Sequence, residues 1–157
     1  MSTAFPPRLR ASARSTAPYA IVAAKFNQKY VQSMVDKAHT ELAVLEPGAE
    51  IVLVWTPGSF EIPLFVQATA ELKRFRAIIA LGVILEGETE HARLIAEAVT
   101  RSLLDLSLTH RLPVIHEVLL LKNEAQARVR CLEPEHNRGT EAARAAVSAA
   151  RKLPEII

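Results

Sequence analysis

The stretch AIIALGVILEGETEHARLIAEAV, residues 77–99, carries the pattern on which the fold turns. From Ala77 to Leu85 every residue is apolar or glycine, so no alternation between an inward and an outward face is visible. A strand of that kind is expected where helices cover both faces of a parallel sheet. Glu86-Gly87-Glu88-Thr89-Glu90-His91 then interrupts the run, and a helical pattern resumes towards Val99. The stretch reads as a buried strand, a polar junction and a helix.

The same alternation extends to both sides. Residues 19–24 (YAIVAA) are a short apolar run, after which Tyr30, Val31, Met34, Val35, Ala38, Leu42 and Leu45 recur at helical spacing until Pro47-Gly48. Ile51-Val52-Leu53-Val54-Trp55 reads as a strand closed by Thr56-Pro57-Gly58, and residues 61–74 as a helix whose first turn tolerates Pro63. Beyond the opening stretch, the pattern predicts a helix over 90–110 and a strand over 113–121. Two more helices, 123–131 and 138–152, are separated by Pro134 and Gly139. The order β-α-β-α-β-α-β-α-α calls for right-handed crossovers between parallel strands. It predicts an α/β fold, a three-layer αβα sandwich with a four-stranded parallel sheet, flavodoxin-like in outline.

A chain of 157 residues, half of them apolar, suits one domain with a substantial core. Lys+Arg 19 against Asp+Glu 17 leaves a net charge of +2, which gives no footprint for nucleic acid or for a membrane surface. The single cysteine, Cys131, forms no internal disulfide and fits a reducing compartment. With no apolar stretch of spanning length and no leader pattern, the expectation is a soluble cytoplasmic protein. Residues 1–18 carry Arg8, Arg10 and Arg14 and no acid. They read as an N-terminal arm, mobile or ordered against a neighbouring subunit, preceding a domain over 19–157.

Ligands of such sheets bind beyond the carboxyl ends of the strands. Residues 25–27, 56–61 and 86–91 all follow strands and should gather at one edge. Gly87-Glu88-Thr89 precedes a long helix, whose unpaired first N–H groups suit a phosphate; glycine eases the turn, and Thr89 serves as donor or N-cap. The spacing from Gly82 to Thr89 mimics a P-loop, but Glu88 stands where its lysine belongs, which excludes nucleotide triphosphate hydrolysis. His91, in the first turn of the helix, is the candidate for proton transfer near neutral pH. Pro57-Gly58 leaves the backbone groups of Ser59, Phe60 and Glu61 to meet a hydroxyl-rich ligand, and Phe26 stacks on a planar ring or packs. Arg130 is a phosphate partner or an ordinary helix charge. The histidines and Cys131 lack metal-ligand spacing.

Together, Lys25-Phe26-Asn27, Pro57-Gly58-Ser59-Phe60-Glu61-Ile62-Pro63, Gly82-Val83-Ile84 with Gly87-Glu88-Thr89-Glu90-His91, Gln126-Ala127, Arg130, Asn137 and Gly139 make a specific set. Over residues 19–150 the chain resembles the 6,7-dimethyl-8-ribityllumazine synthase family. The resemblance implies condensation of 5-amino-6-(ribitylamino)uracil with 3,4-dihydroxy-2-butanone 4-phosphate to a riboflavin precursor, without a metal or redox cofactor. It implies His91 and Arg130 as catalytic residues, and a phosphate held by Gly87, Glu88, Thr89 and Arg130. Phe26, Asn27, Ser59, Phe60, Glu61, Val83, Ile84 and His116 would bind the other substrate. It also implies a homo-oligomer, a pentamer or a multiple up to a sixty-subunit icosahedral capsid, with each site between two neighbours.

The chain departs from the family pattern where a strand-end aromatic followed by glycine is usual, placing His116-Glu117 there. Arg138 stands where lysine is frequent, Glu86 where a basic residue is common, and Lys122-Asn123 where Asp-Thr is usual. His116-Glu117 motivates an alternative, a catalytically weak oligomer of the same fold that binds flavin or lumazine. A phospho-receiver domain is excluded, because Ala23-Ala24-Lys25 stands where that class needs acids.

Overall fold

The computed structural model describes residues 4–13 and 17–156. Four strands, β1 (Tyr19–Ala24), β2 (Ile51–Thr56), β3 (Ala77–Leu85) and β4 (Val114–Leu121), pair in the order β2-β1-β3-β4, all parallel. Between them run α1 (Gln28–Leu45), a single 3-10 turn (Ser59–Glu61) continuing into α2 (Ile62–Glu71), and α3 (His91–His110). After β4 come α4 (Glu124–Cys131), α5 (Arg138–Lys152) and a last 3-10 turn (Leu153–Glu155). The expected three-layer αβα sandwich is therefore the fold. The helix expected over 61–74 stops at Glu71, because Lys73 takes a left-handed conformation (φ 53°) that turns the chain into β3.

The apolar strands are apolar because two layers cover them. Ile21, Ile79, Leu81 and Val83 point to one face and pack with Met34 and Leu42 of α1 and Val147 of α5. Ala20, Val22, Ile78 and Ala80 point to the other face, against Ile62 and Val66 of α2 and Val99 and Leu103 of α3. Every residue of β1 is sealed from solvent, whereas the flanking strands β2 and β4 are partly open. Burying one such aliphatic side chain contributes about 1.5–3 kcal/mol, so the central pair anchors the domain.

Gly139 is not a break between helices, as its place in the sequence suggested; it lies inside the first turn of α5. A Cβ added there would fall 1.9 Å from the carbonyl oxygen of Met34, so the glycine lets α5 cross α1 in backbone contact. Buried Asn137 fixes that crossing. Its side chain accepts from the Gly139 N–H (2.9 Å) and donates to the carbonyl of Cys131 (2.5 Å) and to Ser33 Oγ (3.2 Å).

Residues 4–13 order against their own chain; residues 1–3 and 14–16 of that arm lie outside the described residues. The cause is a pair of buried carboxylates on α1 and its cap, Glu41 and Glu46. Glu41 accepts from Arg8 (2.8 and 2.5 Å) and from Arg144 Nε (2.8 Å), while Arg144 also donates to the Pro6 carbonyl (2.9 Å). Glu46 accepts from Arg151, which also donates to the Arg10 carbonyl (2.8 Å). Leu9 packs on the core beneath.

Two predictions follow from this packing. Gly139→Ala forces α1 and α5 apart against backbone and should cost at least about 1–3 kcal/mol in urea denaturation; an unchanged midpoint would refute the contact. The hydrogen bonds from Arg8, aided by Arg144 against the effect of burial, hold Glu41 down from 4.5 to about 2. A carboxyl depressed by folding stabilises above its unfolded value, and that contribution is lost as pH falls through its folded value. The melting temperature should therefore decline between about pH 4.5 and pH 2 more steeply in the parent than in Glu41→Gln.

Candidate active site

All three strand-to-helix junctions singled out in the sequence meet at the carboxyl edge of the sheet. They enclose a cavity of about 650 Å³ lined by Phe26, Asn27, Gly58, Ser59, Phe60, Glu61, Ile84, Leu85, Gly87, Thr89, His91, Ala92 and Ile95. Such a volume lies within the range usual for small-molecule sites. Phe26 and Phe60 are 69% and 62% exposed, so two aromatic rings stand at the cavity uncovered by the chain itself. Packed aromatics do not look like this.

Each wall has a local cause. Asn27 adopts a left-handed backbone (φ 56°), which asparagine tolerates, and α1 springs from it. Its side chain does not cap α1 but donates from Nδ2 to the carbonyl of Val83 (2.8 Å), tying the end of β1 to the end of β3. The Thr56 hydroxyl donates to the Gly58 carbonyl (2.8 Å) and shapes the turn that follows β2. Ser59 is buried beneath that turn, against β3, at the one place where β3 has no side chain. A Cβ on Gly82 would lie 2.7 Å from Ser59 Oγ and 3.2 Å from Ile62 Cδ1. Glycine at 82 thus seats the Ser59–Glu61 turn.

The junction before α3 differs in detail from the sequence reading. The N-cap of α3 is Glu90, with no side-chain cap, and Thr89 Oγ1 only receives a long 3.4 Å contact from the His91 N–H. The first amides of a twenty-residue helix are thereby left without a capping side chain, beside the cavity. Gly87 does not relieve a strained turn: its φ is not positive, and a Cβ there would meet nothing within 4 Å. Space in front of the backbone is what it provides. Leu85, Ala92 and Ile95 escaped the sequence reading. The helical spacing of His91, Ala92 and Ile95 could have found two of them.

Four of the predicted site residues are not on that wall. Val83 has its side chain in the core, and its carbonyl is the one bonded to Asn27. Glu88 is exposed outside the lining. His116 and Arg130 share a second concavity of about 410 Å³ with Glu117, Arg138 and Glu141, along the outer edge of β4. His116 Nδ1 accepts from the Val118 N–H (3.1 Å), so Nε2 carries the proton and donates to Thr100 Oγ1 (2.7 Å). Burial lowers the His116 pKa, which agrees with that neutral ring. Among the described residues no three His, Cys, Asp or Glu side chains form a metal-ligating group.

A family model described as 6,7-dimethyl-8-ribityllumazine synthase matches residues 16–154 of this chain. A protein of that name from a Polaromonas species is 38% identical over 139 residues, covering 87% of this chain and 86% of that protein. One from Leptothrix cholodnii is 38% identical over 138 residues, 87% of each. Another, from Coxiella burnetii, is 33% identical over 138 residues, 87% of this chain and 91% of its own.

Gly82 and Gly87 both fall inside the matched residues, yet the fold uses them in opposite ways. Gly82→Ala should destabilise by about 1–3 kcal/mol through overpacking against Ser59 and Ile62. Gly87→Ala should stay within about 0.5 kcal/mol. Thermal unfolding of the two variants checks this, and equal losses would contradict it.

Proposed function

The chain belongs to the 6,7-dimethyl-8-ribityllumazine synthase family, and from that premise we propose that the cavity between Phe26, Phe60 and His91 is where it makes the lumazine. The enzyme is a transferase of riboflavin biosynthesis. Its reaction joins 5-amino-6-(ribitylamino)uracil to 3,4-dihydroxy-2-butanone 4-phosphate: the amine attacks the ketone to give an imine, phosphate leaves, and ring closure expels water. The observation that carries the assignment of the site is the pair of uncovered phenylalanines beside a histidine and an uncapped helix end. Phe26 stacks on the uracil ring, while the turn of Ser59, Phe60 and Glu61 holds the ribityl chain. Ile84 meets the ring through backbone groups, Gly87, Glu88 and Thr89 offer the phosphate site, and His91 moves protons.

Magnitudes argue that one chain is not enough. A helix end stabilises an anion by about 0.3–1 kcal/mol, and by about 2 kcal/mol at best. Even a millimolar ligand needs about 4 kcal/mol. Among the described residues no lysine or arginine lines the Phe26–His91 cavity. Arg130, half-buried on the wall of the second concavity, fits as the missing cation if a neighbouring subunit presents it. Leu94, Leu104 and Leu108 of α3 are 57%, 59% and 68% exposed, apolar surface suited to burial between copies. We therefore place each site between two subunits of a homo-oligomer, a pentamer or a multiple up to the sixty-subunit capsid. The lone buried Cys131 suits a reducing compartment, the cytoplasm.

The alternative, a binder of flavin or lumazine with weak turnover, draws on His116: its ring is committed to Thr100 and Val118 instead of being free to stack. Mixing the two substrates and following lumazine absorbance separates the readings. Riboflavin binding without product would favour the binder.

His91→Ala should lower kcat by about 10²–10⁴-fold, the usual worth of positioned proton transfer, with the mass in solution unchanged. Arg130→Ala should raise KM for the butanone phosphate about tenfold or more, the loss of one charge-assisted hydrogen bond, and leave KM for the uracil nearly constant. Equal losses for both substrates would remove Arg130 from the phosphate.

A further inference from the structure

The second concavity holds an uncommon balance of charge. Glu117 projects from β4 towards α4 and α5, on the opposite side of the strand from the His116 ring that reaches Thr100 of α3. It meets Arg130 from α4 and Arg138 and Glu141 from α5 in one space of about 410 Å³. Arg138 is buried and ion-paired to Glu141. Arg130 makes no ion pair or side-chain hydrogen bond among the described residues, and its charge still reaches Glu117. The remaining titratable group on that side, Cys131, is a buried neutral thiol pushed up to about 12 by burial first and Glu117 second. With Glu117 ionised the two arginines and two glutamates cancel; with Glu117 protonated the cluster carries one net positive charge.

Resting on the synthase reading, we propose that Glu117 is a specificity-determining residue of the phosphate subsite: together with Glu141, its carboxylate balances Arg130 and Arg138 while the subsite is empty, and it takes up a proton from water when a phosphoryl group binds. Deprotonation then restores the carboxylate and helps to expel the inorganic phosphate that the reaction releases. Burial supports this division of states. It raises the Glu117 pKa from 4.5 to about 7, with Arg138 opposing, Glu141 adding and Arg130 opposing. Both forms are thus present near neutral pH, and an incoming dianion beside the carboxyl selects the protonated one.

The test uses the assembled protein and inorganic sulfate, an anion whose own charge is constant between pH 6 and 9. Isothermal titration calorimetry across that range should show log Kd rising with pH in the parent, towards one unit per pH unit above about 7, because one proton is bound with each ion. Glu117→Gln keeps the shape and removes the titration, so its sulfate affinity should be flat with pH and about tenfold or more tighter than the parent at pH 8. Arg130→Gln should weaken sulfate in both backgrounds. The same pH slope in parent and Glu117→Gln overturns the proposal. So does sulfate binding that is absent, or that is indifferent to Arg130. Lumazine formation is assayed in parallel: a parent that makes product without the pH slope loses this inference and keeps the synthase reading. A parent with the slope and no product keeps the anion subsite and loses the synthase reading.

Discussion

β1 and β3 lie side by side at the centre of the sheet, from Tyr19 against Ala77 to Ala23 against Leu81, and every residue in that pairing is sealed from water. Parallel strands cannot be joined by a tight turn, so each connection must cross the sheet, and the crossovers become its cover. A strand covered on both faces has no place for a polar side chain along its length. Polar chemistry is therefore pushed to the strand ends, and the parallel direction puts those ends on one edge. The cavity of Phe26, Ser59 and His91 is a consequence of that constraint. The Asn27 side chain, bonded to the Val83 carbonyl, is the stitch that keeps two of the ends at fixed distance.

That logic explains what was legible in the sequence. An unbroken run such as Ala77–Leu85 can be read directly, because its composition and its burial are one fact stated twice. The three junctions were legible for the same reason, since polar residues at strand ends have nowhere else to be. Details that depend on two distant segments meeting were not. Gly139 looks like a helix stop until Met34 is seen pressed against it, and Gly87 looks like a turn glycine until its φ is known. Likewise, nothing in residues 4–13 announces that Arg144 and Arg151, more than 130 positions away, would hold their carbonyls. Exposed or buried, an arginine has the same letter.

The two helical layers differ in kind. On the α1/α5 side the packing is tight and self-sufficient: small residues, a backbone crossing at Gly139, and buried carboxylates satisfied by arginines of the same chain. On the α2/α3 side leucines face solvent, and two phenylalanines stand beside an open cavity. Packing that is complete within one chain gains nothing from a partner, whereas uncovered apolar surface does. The asymmetry leaves one layer complete within the chain and the other with apolar surface and an open cavity still uncovered. Residues 4–13 belong to the first layer, held there by the arginines that satisfy its buried carboxylates.

Charge placement carries the same division into the site. Among the described residues the Phe26–His91 cavity has largely apolar walls, a helix end and no lysine or arginine, a setting that orients a planar ring but holds a phosphate weakly. The β4 edge has the cations and no aromatic ring beyond His116, which is already bonded. Neither concavity combines aromatic rings with arginines, and the two lie at different parts of the chain. Splitting them keeps the arginines from repelling the helix N-terminus within a single chain, and under the proposed oligomer the full electrostatic site is complete only where two subunits meet. Glu117 has a physical purpose within the single chain as well: together with Glu141 it balances Arg130 and Arg138 along the β4 edge, so that buried charge is not left unpaired.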